Sequence, residues 1–396
     1  MKFAHLADNH LGGWRQPELQ ELNMQAFRKA IDTCIEEEVE FILFAGDLFD
    51  SAFPPIETLK EAFHEFRRLK DIGIRCYVIA GSHDYSVSGK TFLDVLEKAG
   101  FCEICKYDYD IETDKIVLRP IIHKSYYIYG YPGKKSGLEV QDLKKIEIRE
   151  PYSDNFRILM LHTTLKEVAG NLPIECITLD ELPKSDYYAM GHIHVDFEQE
   201  KDGKPVIYGG PTFPNNFKEL DDLGGGRFYI IEVEGYTKIT KKEIKLKEIV
   251  SIEVEIIDSF KGTEIILNEL EKKDLNDKIV LLKVQGILEQ GKTSDIKFQE
   301  IEDYIRKAGA YCYLKNTSKL EVKNEEIEIK LESNEMEKVE EVLVKKYELE
   351  NKSTLNELIF QLMDGLSMEK QEDEKSTTFE SRLFLELNKI FDIELI

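Results

Sequence analysis

Short apolar runs rich in β-branched and aromatic side chains alternate with stretches of helical period through the first hundred residues. KFAHLA at 2–7, EFILFA at 40–45 and IRCYVIA at 74–80 show little polar alternation and predict buried strands. Between them the spacing of apolar positions predicts amphipathic helices at about 19–38, 57–71 and 89–99. Helices threaded between buried strands imply sheets covered by helices. Past residue 100 the strands come closer together, at 115–119, 125–131, 156–161, 186–190 and 227–234, with a hairpin turning at Lys201-Asp202-Gly203. This core domain of mixed sheets is expected to end near residue 235.

The rhythm then changes to strand 250–257, helix 259–273, strand 278–284, helix 298–308 and strands 311–315 and 318–323. That is a small α+β unit, assigned to 236–330. In the remaining tail, Thr354 with Glu357 and Thr377 with Glu380 form capping-box patterns ahead of two apolar stripes. Two short amphipathic helices joined by the charged stretch SMEKQEDEKS have little core of their own. Their apolar faces dock either on the core domain or on a partner.

Composition narrows the class. With 42% apolar and 10% aromatic residues the chain can bury a core, which excludes disorder. No run approaches the ~18 apolar residues of a bilayer span, and MKFAHLAD meets a carboxylate too early for a secretory signal. A soluble, intracellular protein without a membrane role is expected. The six cysteines are scattered and are expected to be reduced. Cys102-x-x-Cys105 has no second ligand pair and reads as two partly buried thiols, not as a zinc site. The 77 acidic against 53 basic side chains leave a net charge of −24, so the chain cannot coat nucleic acid by bulk charge. Any polyanion must be held by local features.

The polar residues at the strand ends carry the chemistry. Asp8 and His10 follow the first strand as Asp-x-His, Asp47 follows EFILFAG, His83 follows CYVIAGS, and His162 follows FRILML. His192 and His194 follow DYYAM within Gly191-His192-Ile193-His194. In extended chain, residues two apart point the same way, so each x-spaced pair faces one space. Strand ends are where α/β proteins place their ligands. Each element alone is more often a turn or a satisfied core residue; their occurrence together, in order, points to a metal site. Asp oxygens and His nitrogens without a thiolate suit Mn²⁺, Fe or Zn²⁺. Asp8, His10, Asp47, His162, His192 and His194 exceed one ion's needs, so two metals sharing a bridging Asp is the economical arrangement. Such a pair activates water and clamps a phosphodiester, which implies phosphoester hydrolysis.

These motifs, Asp8-x-His10, Gly46-Asp47, Gly81-Ser82-His83-Asp84, His162 and Gly191-His192-x-His194, resemble the calcineurin-like metallophosphoesterase signature. Within it, KFAHLADNHLG, AGDLFDS and the final GHIH are most similar to the SbcD or Mre type of double-strand-break repair nuclease. The resemblance implies a four-layer α/β/β/α sandwich at 1–235, a small α+β capping domain at 236–330 and a helical docking tail at 331–396. It implies two Mn²⁺ ions, one held by Asp8, His10 and His194, the other by His162 and His192, with Asp47 bridging. His83 would assist the leaving oxygen as a general acid. It further implies 3′ to 5′ exonuclease and single-strand endonuclease activity on DNA ends, a homodimer, and a tail bound to an SMC-like ATPase of the SbcC or Rad-fifty type. That ATPase would supply much of the basic surface that an acidic chain lacks, in the cytoplasm at the nucleoid.

One position departs from the family pattern. Ser82 stands where an Asn carbonyl usually meets the second metal, and a hydroxyl is a shorter, poorer ligand. Two other readings remain: a different metallophosphoesterase acting on small phosphoesters or cyclic nucleotides, or a DNA-end-binding scaffold that has lost its second metal. For DNA contact, Trp14 and Arg15 in LGGWRQP offer an aromatic face and a cation, though Trp14 is as readily a loop anchor. Lys134 and Lys135 after Tyr131-Pro132-Gly133 form a second candidate loop, or a solvated one.

Overall fold

The computed structural model describes residues 1–86, 91–150, 155–170, 174–323, 356–371, 374 and 376–391, with Val344 and Tyr347. Two compact units divide the chain, Met1–Lys323 and Asn324–Ile396.

In chain order the first unit runs β1 (Lys2–Leu6), α1 (Pro17–Glu36), β2 (Phe41–Ala45), α2 (Ile56–Asp71), β3 (Arg75–Ile79), α3 (Phe92–Lys98) and β4 (Glu103–Ile104). There follow β5 (Lys106–Asp110), β6 (Lys115–Arg119), β7 (Ile121–His123), β8 (Tyr126–Tyr131), α4 (Glu139–Leu143) and β9 (Ile146–Glu147). Next come β10 (Phe156–His162), α5 (Lys166–Ala169), β11 (Tyr187–Gly191), β12 (Glu198–Lys201) and β13 (Lys204–Tyr208). Last are α6 (Phe217–Leu223), β14 (Gly226–Val233), β15 (Thr237–Ile244), β16 (Ile249–Glu255), α7 (Ser259–Glu271), β17 (Ile279–Leu288), α8 (Phe298–Lys307) and β18 (Cys312–Val322).

Two six-stranded sheets form the middle layers, ordered β15-β14-β1-β2-β3-β4 and β12-β13-β11-β10-β8-β7. The strand alternation explains why their runs are apolar throughout. In β2, Phe41, Leu43 and Ala45 face the second sheet, while Ile42 and Phe44 face α1 and α2. The inter-sheet core holds Phe3 stacked on Phe41 at 4.9 Å and edge-on to Tyr187 at 5.4 Å. On the outer side of the first sheet, α1, α2 and α3 bury Leu22, Phe27, Leu59, Phe66, Leu93 and Leu96 against it. The outer side of the second sheet is closed by the short α4 and α5 and by a small sheet, β5-β6-β9, through Leu143, Leu165, Ile116 and Leu118. The fold is thus the α/β/β/α sandwich, with a shallow fourth layer.

β14 and β15 pair along their whole length, carrying the first sheet to Ile244. The strand TKITKKEI reads as polar because it is an edge strand whose lysines face solvent. The hairpin at Asp202-Gly203 forms as the turn signal implies, both residues taking positive φ. The α+β unit is a parallel sheet, β16-β17-β18, with α7 and α8 in its crossovers. Residues 311–323, expected as two strands, form the single strand β18, which absorbs a register shift opposite Lys283 and Gln285. The central strand β17 is covered on both faces. Val280, Leu282 and Val284 meet α7 and α8, while Ile279 and Leu281 join the core beneath α1.

In the second unit a 3-10 turn (Asn356–Leu358) leads into a helix over Ile359–Leu366, and another helix spans Ser376–Phe391. Thr354 lies outside the described residues, and Thr377 sits inside the first turn of its helix. Arg382 clamps the joint, donating to both Glu374 carboxylate oxygens at 3.1 and 3.0 Å and to Glu369 O at 2.9 Å. Phe360, Leu366, Phe384 and Leu385 stay exposed. No helix among the described residues is long and apolar enough to cross a membrane.

Candidate metal centre

β1, β2 and β3 are parallel in one sheet, as are β10 and β11 in the other, and all five carry their chemistry at or just beyond their C-terminal ends. The sequence-derived residues meet there. Asp8, His10 and His194 bring ligand atoms within 4.8 Å of one another, and so do Asp47, His162 and His192. Asp47 stands between the groups, its Oδ2 3.2 Å from His162 Nε2 and 3.7 Å from His10 Nε2.

Backbone geometry aims these side chains. Asp8, His10, Asp47 and His192 all have positive φ, a region non-glycine residues seldom enter. Neighbouring loops brace them: Asp8 N–H donates to Gly46 O, His10 N–H to Asp47 O, both at 3.0 Å, and His192 N–H to Asp8 Oδ1 at 2.8 Å. Close approach requires glycine beside them. A Cβ at Gly46 would lie 2.1 Å from His162 Nδ1, and one at Gly191 2.0 Å from Ala45 O.

Hydrogen bonds behind the imidazoles decide which nitrogen faces inward. His10 Nδ1–H donates to Asp50 Oδ1 at 3.1 Å, His194 Nδ1–H to Glu219 Oε1 at 2.9 Å, and His162 Nδ1–H to Ala45 O at 2.9 Å. Each acceptor fixes a proton on Nδ1 and leaves Nε2 as the nitrogen that faces inward. His10 Nε2 and His194 Nε2 nevertheless approach to 3.1 Å, and with each ring's Nδ1–H given to a carboxylate the two Nε2 atoms meet lone pair to lone pair. Two nitrogens bound to one cation at ~2.1 Å, at a right angle, would sit ~3.0 Å apart. Asp8 Oδ2 and His162 Nε2 are buried without a hydrogen-bond partner, though His162 Nε2 is close to Asp47. Buried polar atoms left in this way, drawn from two sheets, fit a pair of divalent cations.

Charge acts across the same contacts. Burial pushes the Asp47 carboxyl up, but the His162 imidazole, with His10 and His83, more than offsets it and holds Asp47 well below the carboxylate range. Burial likewise opposes a charge on His162, yet Asp47 and Asp8 raise it to about 10. Burial and then the neighbouring His162 lower His192 to about 4. For His194, burial is outweighed by Glu219 and the net direction is upward. Asp84 is pushed up to about 6 by burial and by Asp47, although its carboxylate accepts N–H groups from Gly81, Leu48 and Phe49 at 3.0–3.1 Å.

His83 is 45% exposed beside the two clusters; its backbone N–H donates to Asp47 Oδ1 at 2.7 Å and its Nδ1–H to Asp50 O at 2.8 Å. The Ser82 hydroxyl donates to Asp47 Oδ2 at 3.4 Å. The expected DNA contacts fare differently. Trp14 is 7% exposed, packs into the core beneath α1 and donates its indole N–H to Pro214 O at 2.8 Å. It anchors its loop and has no free face for a base, which corrects the stacking reading. Arg15 is exposed. Lys134 is half-buried, ion-paired with Asp142, and 5.9 Å from the Tyr131 ring; Lys135 is exposed. Cys105 is buried and Cys102 partly so, both thiols free.

Three residues escaped the sequence reading. Asp50 sits in the phrase AGDLFDS, Asp84 in the GSHD motif, and Glu219 lies three residues after Asn216, the N-cap of α6 whose side chain accepts the Glu219 N–H.

The calcineurin-like phosphoesterase family matches residues 1–196. The chain is 27% identical over 354 residues to the DNA double-strand break repair protein Mre11 of Archaeoglobus fulgidus, covering 84% of this chain and 77% of that one. It is 28% identical over 288 residues to the Mre11 of Methanocaldococcus jannaschii, covering 69% and 74%. It is also 31% identical over 245 residues to an uncharacterized metallophosphoesterase, YhaO, of Bacillus subtilis, covering 59% and 57%.

Proposed function

The chain belongs to the calcineurin-like metallophosphoesterases of the Mre11 type, and from that premise we propose that it is a Mn²⁺-dependent nuclease that trims DNA at double-strand breaks. The observation that carries this reading is the meeting of two Asp/His clusters at Asp47. Asp8, His10 and His194 would hold one Mn²⁺ and His162 and His192 the other, with Asp47 between them and Ser82 alongside. When bound, the pair supplies Lewis-acid activation and neutralises charge on a phosphodiester.

The chain's own groups do the rest. Asp47 fixes the spacing of the two clusters. Asp50 and Glu219 hold His10 and His194 in the tautomer that turns Nε2 inward. His83, with Nδ1–H tied to Asp50 O, would act as general acid in its doubly protonated form, whose Nε2–H passes to the departing oxygen and leaves the neutral ring with its proton on Nδ1. Arg15 and Lys135 are the exposed cations of the proposed DNA surface.

The α+β unit of β16 to β18 would cap the DNA, and the tail from 331 would dock on an SMC-like ATPase through Phe360, Leu366, Phe384 and Leu385. Exposed Phe53, Ile56 and Val95, on and before α2 and on α3, suit a homodimer face. End-labelled duplex and single-stranded DNA incubated with Mn²⁺ tests the activity. Cleavage is expected, with its loss in Asp8→Ala and His83→Ala. Turnover of small phosphoesters without DNA cleavage would favour a different metallophosphoesterase.

A further inference from the structure

We infer that Asn215 is a positioning residue that ties together the carboxylates behind His10 and His194, and so sets those two imidazoles at the spacing of a single cation. The inference rests on the metal-centre reading above. Asn215 lies in the loop before α6, outside every motif that points to metal binding. Its side-chain Nδ2–H donates to Asp50 Oδ1 at 3.1 Å, and its backbone N–H donates to Glu219 Oε2 at 2.8 Å. One residue therefore serves both carboxylates.

The result is a closed ring. It runs from His10 Nδ1 to Asp50, through Asn215 to Glu219, and on to His194 Nδ1, while the two Nε2 atoms face each other at 3.1 Å. Asp50 also accepts from His83 through its backbone oxygen, so the same ring steadies the proposed general acid. Among the described residues, nothing comparable stands behind the second cluster, where His162 is backed by the Ala45 carbonyl. Two like-charged carboxylates side by side repel, and a neutral amide is the donor that holds both without neutralising either. An amide oxygen turned toward Asp50 would be repelled, which fixes the orientation of the Asn215 side chain. Room for the ring comes from Gly13. A Cβ there would lie 2.4 Å from Asn215 Oδ1 and 3.0 Å from Asp50 Cγ.

The test titrates chelator-stripped full-length protein with MnCl₂ by calorimetry, for wild type, Asn215→Ala, Asn215→Leu and Gly13→Ala. The wild type is expected to show two sites. Asn215→Ala and Asn215→Leu are each expected to weaken one of them about 10- to 100-fold, the range seen when an outer-shell partner is lost, and to leave the other unchanged. Gly13→Ala, which displaces the amide while keeping it, is expected to weaken the same site. In protein with ¹⁵N-labelled histidine, the variants should also lose a hydrogen-bonded Nδ1–H signal. A residue that only filled space would be replaced well by Leu and poorly by Ala, and that pattern overturns the inference. So do Asn215 variants that bind both ions like the wild type. Wild-type protein that takes up no Mn²⁺ overturns the metal reading and this inference together, and is seen before any variant is measured.

Discussion

The ion pair between His162 and Asp47 makes metal binding compete with a proton, and the competition can be weighed from the structure. Without metal, His162 is raised to about 10, so at pH 7 its ring is doubly protonated against Asp47. A cation that takes Nε2 must expel that proton. Three pH units separate 7 from 10, so the affinity at pH 7 is lowered by a factor on the order of 10³, or about 4 kcal/mol at 1.36 kcal/mol per unit. His192, lowered to about 4, is already neutral and adds nothing to the slope at pH 7. The apparent Mn²⁺ dissociation constant of the site that includes His162 should therefore fall about tenfold per pH unit between 6.5 and 8.5.

Anaerobic calorimetry in buffers of different ionisation enthalpy should count about one proton released to buffer at that site. Stability of the chelator-treated protein should run the other way. A histidine whose folded pKa exceeds its ordinary 6.5 contributes stability that is fully present below 6.5 and lost as pH rises toward about 10. Asp47, held low, contributes above its ordinary 3.8 and loses that contribution only as pH falls further. The Tm of metal-free protein should accordingly decline from pH 6.5 upward, while added Mn²⁺ should raise Tm more at pH 8.5 than at 6.5. A dissociation constant that stays within threefold across this range, with no proton released, would refute the reasoning.

Three further outcomes are expected. Glu219→Gln should weaken Mn²⁺ binding about 10- to 100-fold by removing the charge behind His194, measured by the same calorimetry. Gly191→Ala drives a methyl to 2.0 Å from Ala45 O, where backbone must move; unfolding midpoints in urea should show a loss of at least about 1–3 kcal/mol together with loss of metal uptake. Ser82→Asn should tighten one Mn²⁺ site and raise nuclease turnover, because the longer carbonyl reaches past the point where the hydroxyl meets Asp47 at 3.4 Å; unchanged affinity and rate would show that Ser82 has no part in the second site.

Much of the centre is legible in the chain because it stands at the ends of strands whose apolar runs are unambiguous. Phe41 to Ala45 can only be a strand buried on both faces, and the next pair, Gly46-Asp47, must then leave the sheet at its edge. Elements whose residues answer to tertiary neighbours are harder to read. β15 is an edge strand of lysines and threonines, and α6 spans seven residues with one buried leucine. With α6 unread, Glu219 had no place in the site, although Asn216-x-x-Glu219 carries a helix-start signal of its own. Trp14 shows the opposite failure. Its loop of glycines reads as flexible and exposed, but the indole packs beneath α1 and finds a carbonyl at Pro214, 200 residues away, that no local pattern can indicate.

The same distinction explains why the ligand spacing survives on so strained a backbone. Positive φ at a non-glycine residue costs on the order of 1–3 kcal/mol, and Asp8, His10, Asp47 and His192 all adopt it. Within the first loop Gly13 N–H donates to His10 O at 3.0 Å, which offsets only part of that cost. The bonds that offset the rest cross between loops: Asp8 N–H to Gly46 O, His10 N–H to Asp47 O, His192 N–H to Asp8 Oδ1. Each strained residue is thus held by a neighbour that carries another ligand, so the left-handed turns stand or fall together. This mutual bracing explains how imidazoles from two sheets converge on one point. It also implies that a substitution in one loop will disturb ligands on the other sheet, which is why the Gly191→Ala variant should lose metal uptake as well as stability.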